Sequence, residues 1–323
     1  MSYDIEILKN TFKILENSSF EGVSGVVKFD GLSSGPCVGI TICTHGNEPS
    51  GLAVATFLID YFSREKLLRG TLYLVLNNIE ATRKYLNANT DKEKVGTRYV
   101  DVNMNRLPED VLELVNDKRY EVRRAQELVS VWKKFDVALD VHSTTLPTDP
   151  MIISNGGNFE GIKDLISGFP INILISNIDE VQIGVPAATL YGDRSKGVRI
   201  MAIEAGQHEL DEAFDCAIRC AVSLLQNLEM VVGTTTNGPS QIKEYFINGS
   251  LIFPDHSFDL VKEFKTFDEF EEGEVLARNS SGQEVLAPFD GHIIMPTIRR
   301  GLDKNISEEV AFLSRLVENR DLK

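Results

Sequence analysis

A chain of 323 residues with 42% hydrophobic content can bury a large core and has room for an α/β domain plus a smaller one. Its 33 basic against 48 acidic residues leave a formal net charge of −15. That excess argues against nucleic acid or an anionic membrane surface as partner, so any anionic substrate needs local arginines.

The opening "MSYDIEILKNTFKILEN" carries acidic residues where a signal peptide needs a basic start. No apolar stretch reaches the ~18 residues of a membrane span, so a cytoplasmic protein is expected. Periodicity predicts an amphipathic helix near residues 5–16 and a β-like run "SGVVKF". The buried strand "CVGITIC" follows at 37–43, then a helix from about Ser50 to Phe62 and the strand "GTLYLVLNN". A loop-rich stretch runs to about Pro108 and a helix covers "RYEVRRAQELVSVWKKF". Four strand-like runs come next, "VALDVHS", "MIISN", "INILIS" and "VRIMAIEAG", before a helix over "ELDEAFDCAIRCAVSLLQNLEM". Near-continuous apolar strands imply burial on both faces, hence an α/β fold with a mixed, largely parallel sheet flanked by helices. After "GTTTNGPSQ" the pattern turns to charged, aromatic, β-like segments, and strong helix signal returns only at "SEEVAFLSRLV". The expected division is a domain over 1–238 and a smaller β-rich domain over 239–323. The four cysteines, Cys37, Cys43, Cys216 and Cys220, lack CxxC spacing and read as reduced thiols.

Ligands of α/β sheets gather where the carboxyl ends of strands open into loops, and three signals lie at such ends. In "THGNEPSG", His45 and Glu48 stand three apart, so a helix beginning at that loop puts imidazole and carboxylate on one side of its first turn. Alone, such a pair is a common surface hydrogen bond. In "ALDVHSTT", His142 ends a strand with Asp140 two residues back on the same face, placed to orient the imidazole. The plain alternative is a strand-end histidine capped by Thr144. In "IMAIEAGQH", Glu204 ends an apolar strand and must be paired, metal-associated or shifted in pKa; a salt bridge to an arginine is the competing reading. His208 reads as a loop residue, not a ligand. Two histidines and a glutamate form the ligand set of a catalytic zinc site with a fourth position open, and a further carboxylate can take a proton from water.

With these segments in hand, the chain resembles the succinylglutamate desuccinylase/aspartoacylase family, a branch of the zinc carboxypeptidase superfamily. The likeness rests on "THGNEPSG", "TRYVDVNMNR" (97–106), "DVHSTT", Arg194 and "IEAGQ", in the family's order. It implies one zinc ion per chain held by His45, Glu48 and His142, polarising an amide carbonyl and acidifying water. By the same likeness Glu204 is the general base and then acid, and Arg98 stabilises the developing oxyanion. Asn105 and Arg106 match the pair that grips a substrate carboxylate, and Arg194 stands at the spacing of a second carboxylate-binding arginine. Arginines in a loop-rich stretch are otherwise solvated or bridged to nearby acids.

The chain departs from the family in three places. Asn103 replaces an acidic residue, Leu190 replaces a substrate-binding tyrosine beside Tyr191, and no tyrosine of the C-terminal region is matched to the one that some members contribute. "GEVLARNSSGQEVLAPFDGHIIMP" (273–296) resembles the hairpin of biotinyl and lipoyl carrier domains but holds no lysine between Glu274 and Pro296, so no carrier role follows. The implied function is zinc-dependent hydrolysis of a small anionic N-acyl amino acid, with the C-terminal domain narrowing the entrance. Nucleic acid and membrane are not expected partners, and a homo-oligomer is left open. A peptide-cleaving metallocarboxypeptidase and a catalytically silent zinc-binding homologue are the alternatives; intact Glu204 and Arg98 argue against the second.

Overall fold

Strands that are apolar on both faces need cover on both, and the chain supplies it with helices on either side of one long sheet. The computed structural model describes residues 4–154, 159–233, 238–297 and 308–322. Its elements begin with α1 (Ile5–Glu16), β1 (Ser19–Phe20), β2 (Val23–Ser24), β3 (Val26–Asp30), β4 (Cys37–Ile42), α2 (Ser50–Arg64) and β5 (Thr71–Leu76). Next come α3 (Ile79–Asn87), α4 (Asp91–Val95), α5 (Tyr120–Trp132), β6 (Val137–Thr144), β7 (Met151–Ser154), α6 (Phe159–Ile166) and β8 (Ile173–Ser176). Two single 3-10 turns, Ala187–Leu190 and Arg194–Lys196, precede β9 (Arg199–Gln207) and α7 (Asp211–Asn227). The remainder is β: β10 (Gln241–Leu251), β11 (Phe258–Leu260), β12 (Glu269–Phe270), β13 (Val275–Asn279), β14 (Glu284–Leu286), β15 (Gly291–Ile294) and β16 (Ala311–Asp321).

The main sheet has the order β12-β15-β16-β10-β8-β7-β9-β6-β4-β5-β3. It is mixed, as expected. The pairs β5–β4, β4–β6 and β6–β9 are parallel, so three βα crossovers aim their carboxyl ends at the same edge. Strand β7 runs antiparallel to β9, and β8 and β10 follow its direction. On one face α1, α2, α6 and α7 bury Leu15, Leu52, Leu58, Ile162, Ala217 and Leu224 against Ile40, Leu74, Leu139 and Ile203. On the other, Val122, Leu128 and Trp132 of α5 pack with Val75, Ala138 and Tyr191.

Three differences from the sequence reading have local causes. The stretch to Pro108 holds α3, whose amino end is capped by the Asn78 side chain accepting from Ala81 N–H at 3.0 Å, a signal present in "NNIEA". The helix α6 went unread, being a short apolar turn of chain between two strands. The helix signal of "SEEVAFLSRLV" is overturned: its described part forms β16, between β10 and β15, because ladder pairing on both sides outweighs local preference. The sheet continues through the boundary read at 238/239, since β10 pairs with β8. Beyond it a separate three-stranded sheet, β11-β13-β14, closes over Phe253, Phe264, Leu276 and Leu313.

Candidate metal and active site

The site sits where β4, β6 and β9 end. Cys43, at φ 51°, turns the chain out of β4, and the next residues form a tight turn closed by the Glu48 N–H donating to the His45 carbonyl at 3.3 Å. The helix begins after this turn, at Ser50, so His45 and Glu48 share a pre-helical turn, not a first helical one. Glycine is required at position 46: a Cβ there would lie 2.3 Å from the Ala81 carbonyl carbon and 2.5 Å from the Thr97 oxygen. The Gly46 N–H donates to the Arg98 carbonyl at 2.9 Å, which ties this turn to the segment 97–106.

Ligand atoms of His45, Glu48 and His142 lie within 4.8 Å of one another, and all three residues are buried. Nδ1 of His45 is 2.7 Å from Oε1 of Glu48, and Nδ1 of His142 is 2.7 Å from Oε2. The outer nitrogens are also held: Nε2 of His45 is 3.0 Å from Oδ1 of Asn103, and Nε2 of His142 is 3.2 Å from Oδ2 of Asp140. Acceptors at both Nε2 atoms favour protons there and leave both Nδ1 lone pairs facing one point. Asp140 is fixed from below by hydroxyl donors, Thr41 at 2.8 Å, Thr44 at 3.0 Å and Tyr191 at 3.3 Å. Tyr191 is fully buried there, so its oxygen serves Asp140 beneath the ligands.

Burial, then the charge of Arg98, takes the His45 pKa down to about 4. Burial would lower His142 as well, but Asp140 and Glu48 hold it well above its usual value. Burial would raise Glu48, yet the two histidines keep it well below the usual carboxylate range. An ionised carboxylate between two imidazoles, each with its far nitrogen satisfied, is a donor set that fits a divalent cation.

Glu204 stands opposite His142 in the β6–β9 register. Its Oε2 is buried and has no hydrogen-bond partner among the described residues, and desolvation raises its pKa to about 8. Arg98 donates from Nη1 to Oε1 of Glu48 at 3.0 Å while its side chain keeps 40% exposure. The segment carrying Arg98 is anchored by the buried carboxylate of Glu121 on α5, which accepts from the N–H groups of Val100 (2.6 Å), Asp101 (3.0 Å) and Val102 (3.1 Å) and from Nδ2 of Asn78 (3.0 Å). Sequence reasoning missed Glu121, although its place in the first turn of a predicted helix marked it as available to nearby amides. His208 binds Ser143 at 2.8 Å through Nδ1 and is not among the clustered ligands.

The remaining expected residues are placed differently. Oδ1 of Asn105 is buried without a partner among the described residues, beside the ligands' shell. Arg106 lies next to it but is engaged by Glu309, 2.9 Å from Nε. Arg194 opens a 3-10 turn pinned by Gly192 N–H to the Trp132 carbonyl (2.8 Å) and Arg199 N–H to the Asp136 carbonyl (3.0 Å). These anchors are at the amino ends of β6 and β9; the strand from Arg199 to Glu204 spans roughly 16 Å. Arg194 therefore starts from the opposite end of β9, where it senses Asp179.

Residues 34–156 match the model of the succinylglutamate desuccinylase/aspartoacylase catalytic domain. That stretch of the chain is similar to this family's catalytic domain. The matched residues include His45, Glu48, Arg98, Asn105, Arg106 and His142, while Glu204 lies beyond them. Among solved structures, succinylglutamate desuccinylase from Vibrio parahaemolyticus is similar with a TM-score of 0.68 at 15% identity, over 97% of this chain and 96% of that one. Murine aminoacylase 3 is similar with a TM-score of 0.63 at 19% identity, over 87% and 95%. A product-bound ectoine utilization protein from Ruegeria pomeroyi gives a TM-score of 0.61 at 16% identity, over 90% and 88%. No curated protein matches the sequence. The solved structures share this chain's fold over most of its length. Among the described residues no helix is long and apolar enough to cross a membrane.

Proposed function

We propose that this desuccinylase/aspartoacylase-type chain is a zinc-dependent amidohydrolase that removes a small acyl group from an N-acyl amino acid or a related carboxylate-bearing amide. The observation that carries this reading is the convergence of two Nδ1 atoms on Glu48 beside the unpartnered Oε2 of Glu204. His45, Glu48 and His142 would hold one zinc ion. Bound there, zinc supplies Lewis acidity toward the amide carbonyl and lowers the pKa of water.

The chain's own groups do the rest. Glu204 takes a proton from water on Oε2 and returns it to the leaving amine, a role suited to a carboxylate whose burial raises its basicity. Arg98 presents a fixed positive charge to the developing oxyanion. Asp140 and Asn103 keep the two imidazoles oriented through Nε2. Asn105 turns its side chain to the substrate, while Arg194, anchored at the amino end of β9, stands too far from this cluster to meet the carboxylate of a small substrate. Residues from 239 onward shape the entrance, a role supported by the reach of Glu309 to Arg106 and Ile183. The chain acts in the cytoplasm, in keeping with its four free cysteines.

The test is a panel of N-acyl amino acids with acetyl, formyl and succinyl groups, alongside C-terminal peptides, with zinc-loaded protein. Turnover of an N-acyl amino acid is expected, with Glu204→Gln losing about 10²-fold or more in kcat while keeping zinc and fold. Hydrolysis of peptides alone, or near-normal turnover by the Gln variant, would overturn the assignment.

A further inference from the structure

Beneath Asp140 lies a line of buried polar side chains, on the side away from the ligand atoms. Asn77, the residue after β5, is fully buried, as are Thr41, Thr44, Trp132 and Tyr191. Its main chain is clamped, the N–H donating to the Ile42 carbonyl at 3.0 Å and the carbonyl accepting from Nε of Arg124 at 2.9 Å. Only the orientation of its amide is left to be chosen.

Trp132, the last residue of α5, makes that choice. An indole N–H is a donor only, and Nε1 of Trp132 lies 3.3 Å from Oδ1 of Asn77, so the amide oxygen must face it. Nδ2 then points the other way and donates to Oγ1 of Thr44 at 2.8 Å and to the Tyr191 hydroxyl at 3.0 Å. A hydroxyl has one hydrogen, so each of these two, having accepted from Asn77, donates elsewhere. Thr44 reaches Oδ1 of Asp140 at 3.0 Å and Oδ2 at 3.3 Å. Tyr191 has Oδ2 of Asp140 at 3.3 Å and Oγ1 of Thr41 at 3.2 Å, and Thr41 in turn donates to Oδ1 at 2.8 Å. Every route ends on Asp140, which is left as an acceptor with Nε2 of His142 3.2 Å from its Oδ2. A reversed amide would draw the Thr44 and Tyr191 hydrogens off Asp140 and set Nδ2 against the Trp132 N–H, two buried donors facing one another.

We propose that Asn77 is a positioning residue for the metal site: held by Trp132, it aims the Thr44 and Tyr191 hydrogens at Asp140 and so keeps the His142 proton on Nε2 and Nδ1 unprotonated for the metal. This rests on the zinc reading above and extends it to residues outside the segments that carry the family resemblance. The experiment measures zinc affinity by competition with a chromophoric chelator for wild type, Asn77→Leu, Asp140→Ala and the double variant. The His142 ring tautomer is read from nitrogen NMR shifts of the metal-free protein, assigned by their loss in His142→Ala.

Asn77→Leu keeps the volume and removes the amide; it should weaken zinc binding by about fivefold or more and move the His142 ring from the Nε2–H tautomer to a mixture. In the Asp140→Ala background the same change should cost less than about twofold, because the group through which Asn77 acts is gone. Should the Leu variant fail to fold, Asn77→Asp at about pH 8 must show the same loss: it keeps the shape but turns an acceptor toward the hydroxyls, and its added negative charge by itself would tighten zinc. Affinity within about twofold of wild type, an unchanged ring tautomer, or an equal loss with and without Asp140 overturns the proposal. If wild type binds no zinc, the metal reading falls. The ring tautomer then decides alone: a mixture in the variant supports the role of Asn77, and an unchanged ring removes it.

Discussion

Asn103, where the sequence resemblance led to the expectation of an acid, places its Oδ1 3.0 Å from Nε2 of His45. The same oxygen accepts the Asn105 N–H at 2.9 Å, so one amide fixes the imidazole of His45, a proposed ligand, and the backbone of Asn105. A neutral acceptor polarises the imidazole less than a carboxylate does. Asn103→Ala should therefore weaken zinc binding by about 10- to 100-fold, measured by competition with a chromophoric chelator. His142→Ala, which deletes a donor outright, should lose stoichiometric zinc; retention at wild-type occupancy would contradict the ligand set. His142 and Asp140 were legible as a pair in the sequence because residues two apart in a strand share a face. Tyr191 was not, since the hydroxyl that supports Asp140 arrives from a turn 51 residues away.

The segment 97–106 has little regular structure, and its order comes from α5. Three successive amides converge on the Glu121 carboxylate, which substitutes for a ladder that this stretch cannot form. Removing it leaves three partly buried amides without their acceptor, at about 1 kcal/mol each. Glu121→Ala should lower unfolding stability by about 3 kcal/mol or more in urea titration and reduce kcat by loosening Arg98, whereas a loss under about 1 kcal/mol would show that water replaces the carboxylate. Gly46→Ala should be equally unwelcome, because the added Cβ meets backbone atoms of two other segments. Here the motif was readable but its reason was not: "THGN" announces a tight turn, while the crowding by Ala81 and Thr97 belongs to packing.

Across the whole molecule, the three proposed ligands arrive from two strand ends brought together by the parallel β4–β6 pair. Zinc binding should then be linked to folding, because the unfolded chain holds no such cluster. Zinc at 100 times its dissociation constant adds about 2.7 kcal/mol, and chelation should lower Tm by about 5 °C or more in wild type. The same treatment should leave the His142→Ala melting curve unmoved; equal shifts in both proteins would assign the effect to a different site.

The local chemistry of this protein was written in its sequence: apolar strands ending in histidine or glutamate, a glycine-proline turn, and the alternation that sets Asp140 beneath His142. Those features depend on neighbours a few residues apart, which the backbone periods fix in advance. The partnership of Arg106 with Glu309, the turn that holds Arg194 at the amino end of β9, and the conversion of a helix-like stretch into β16 all came from contacts between distant segments. Such choices follow from which surfaces the folded sheet leaves to be covered, and a charged side chain takes the partner that burial brings to it.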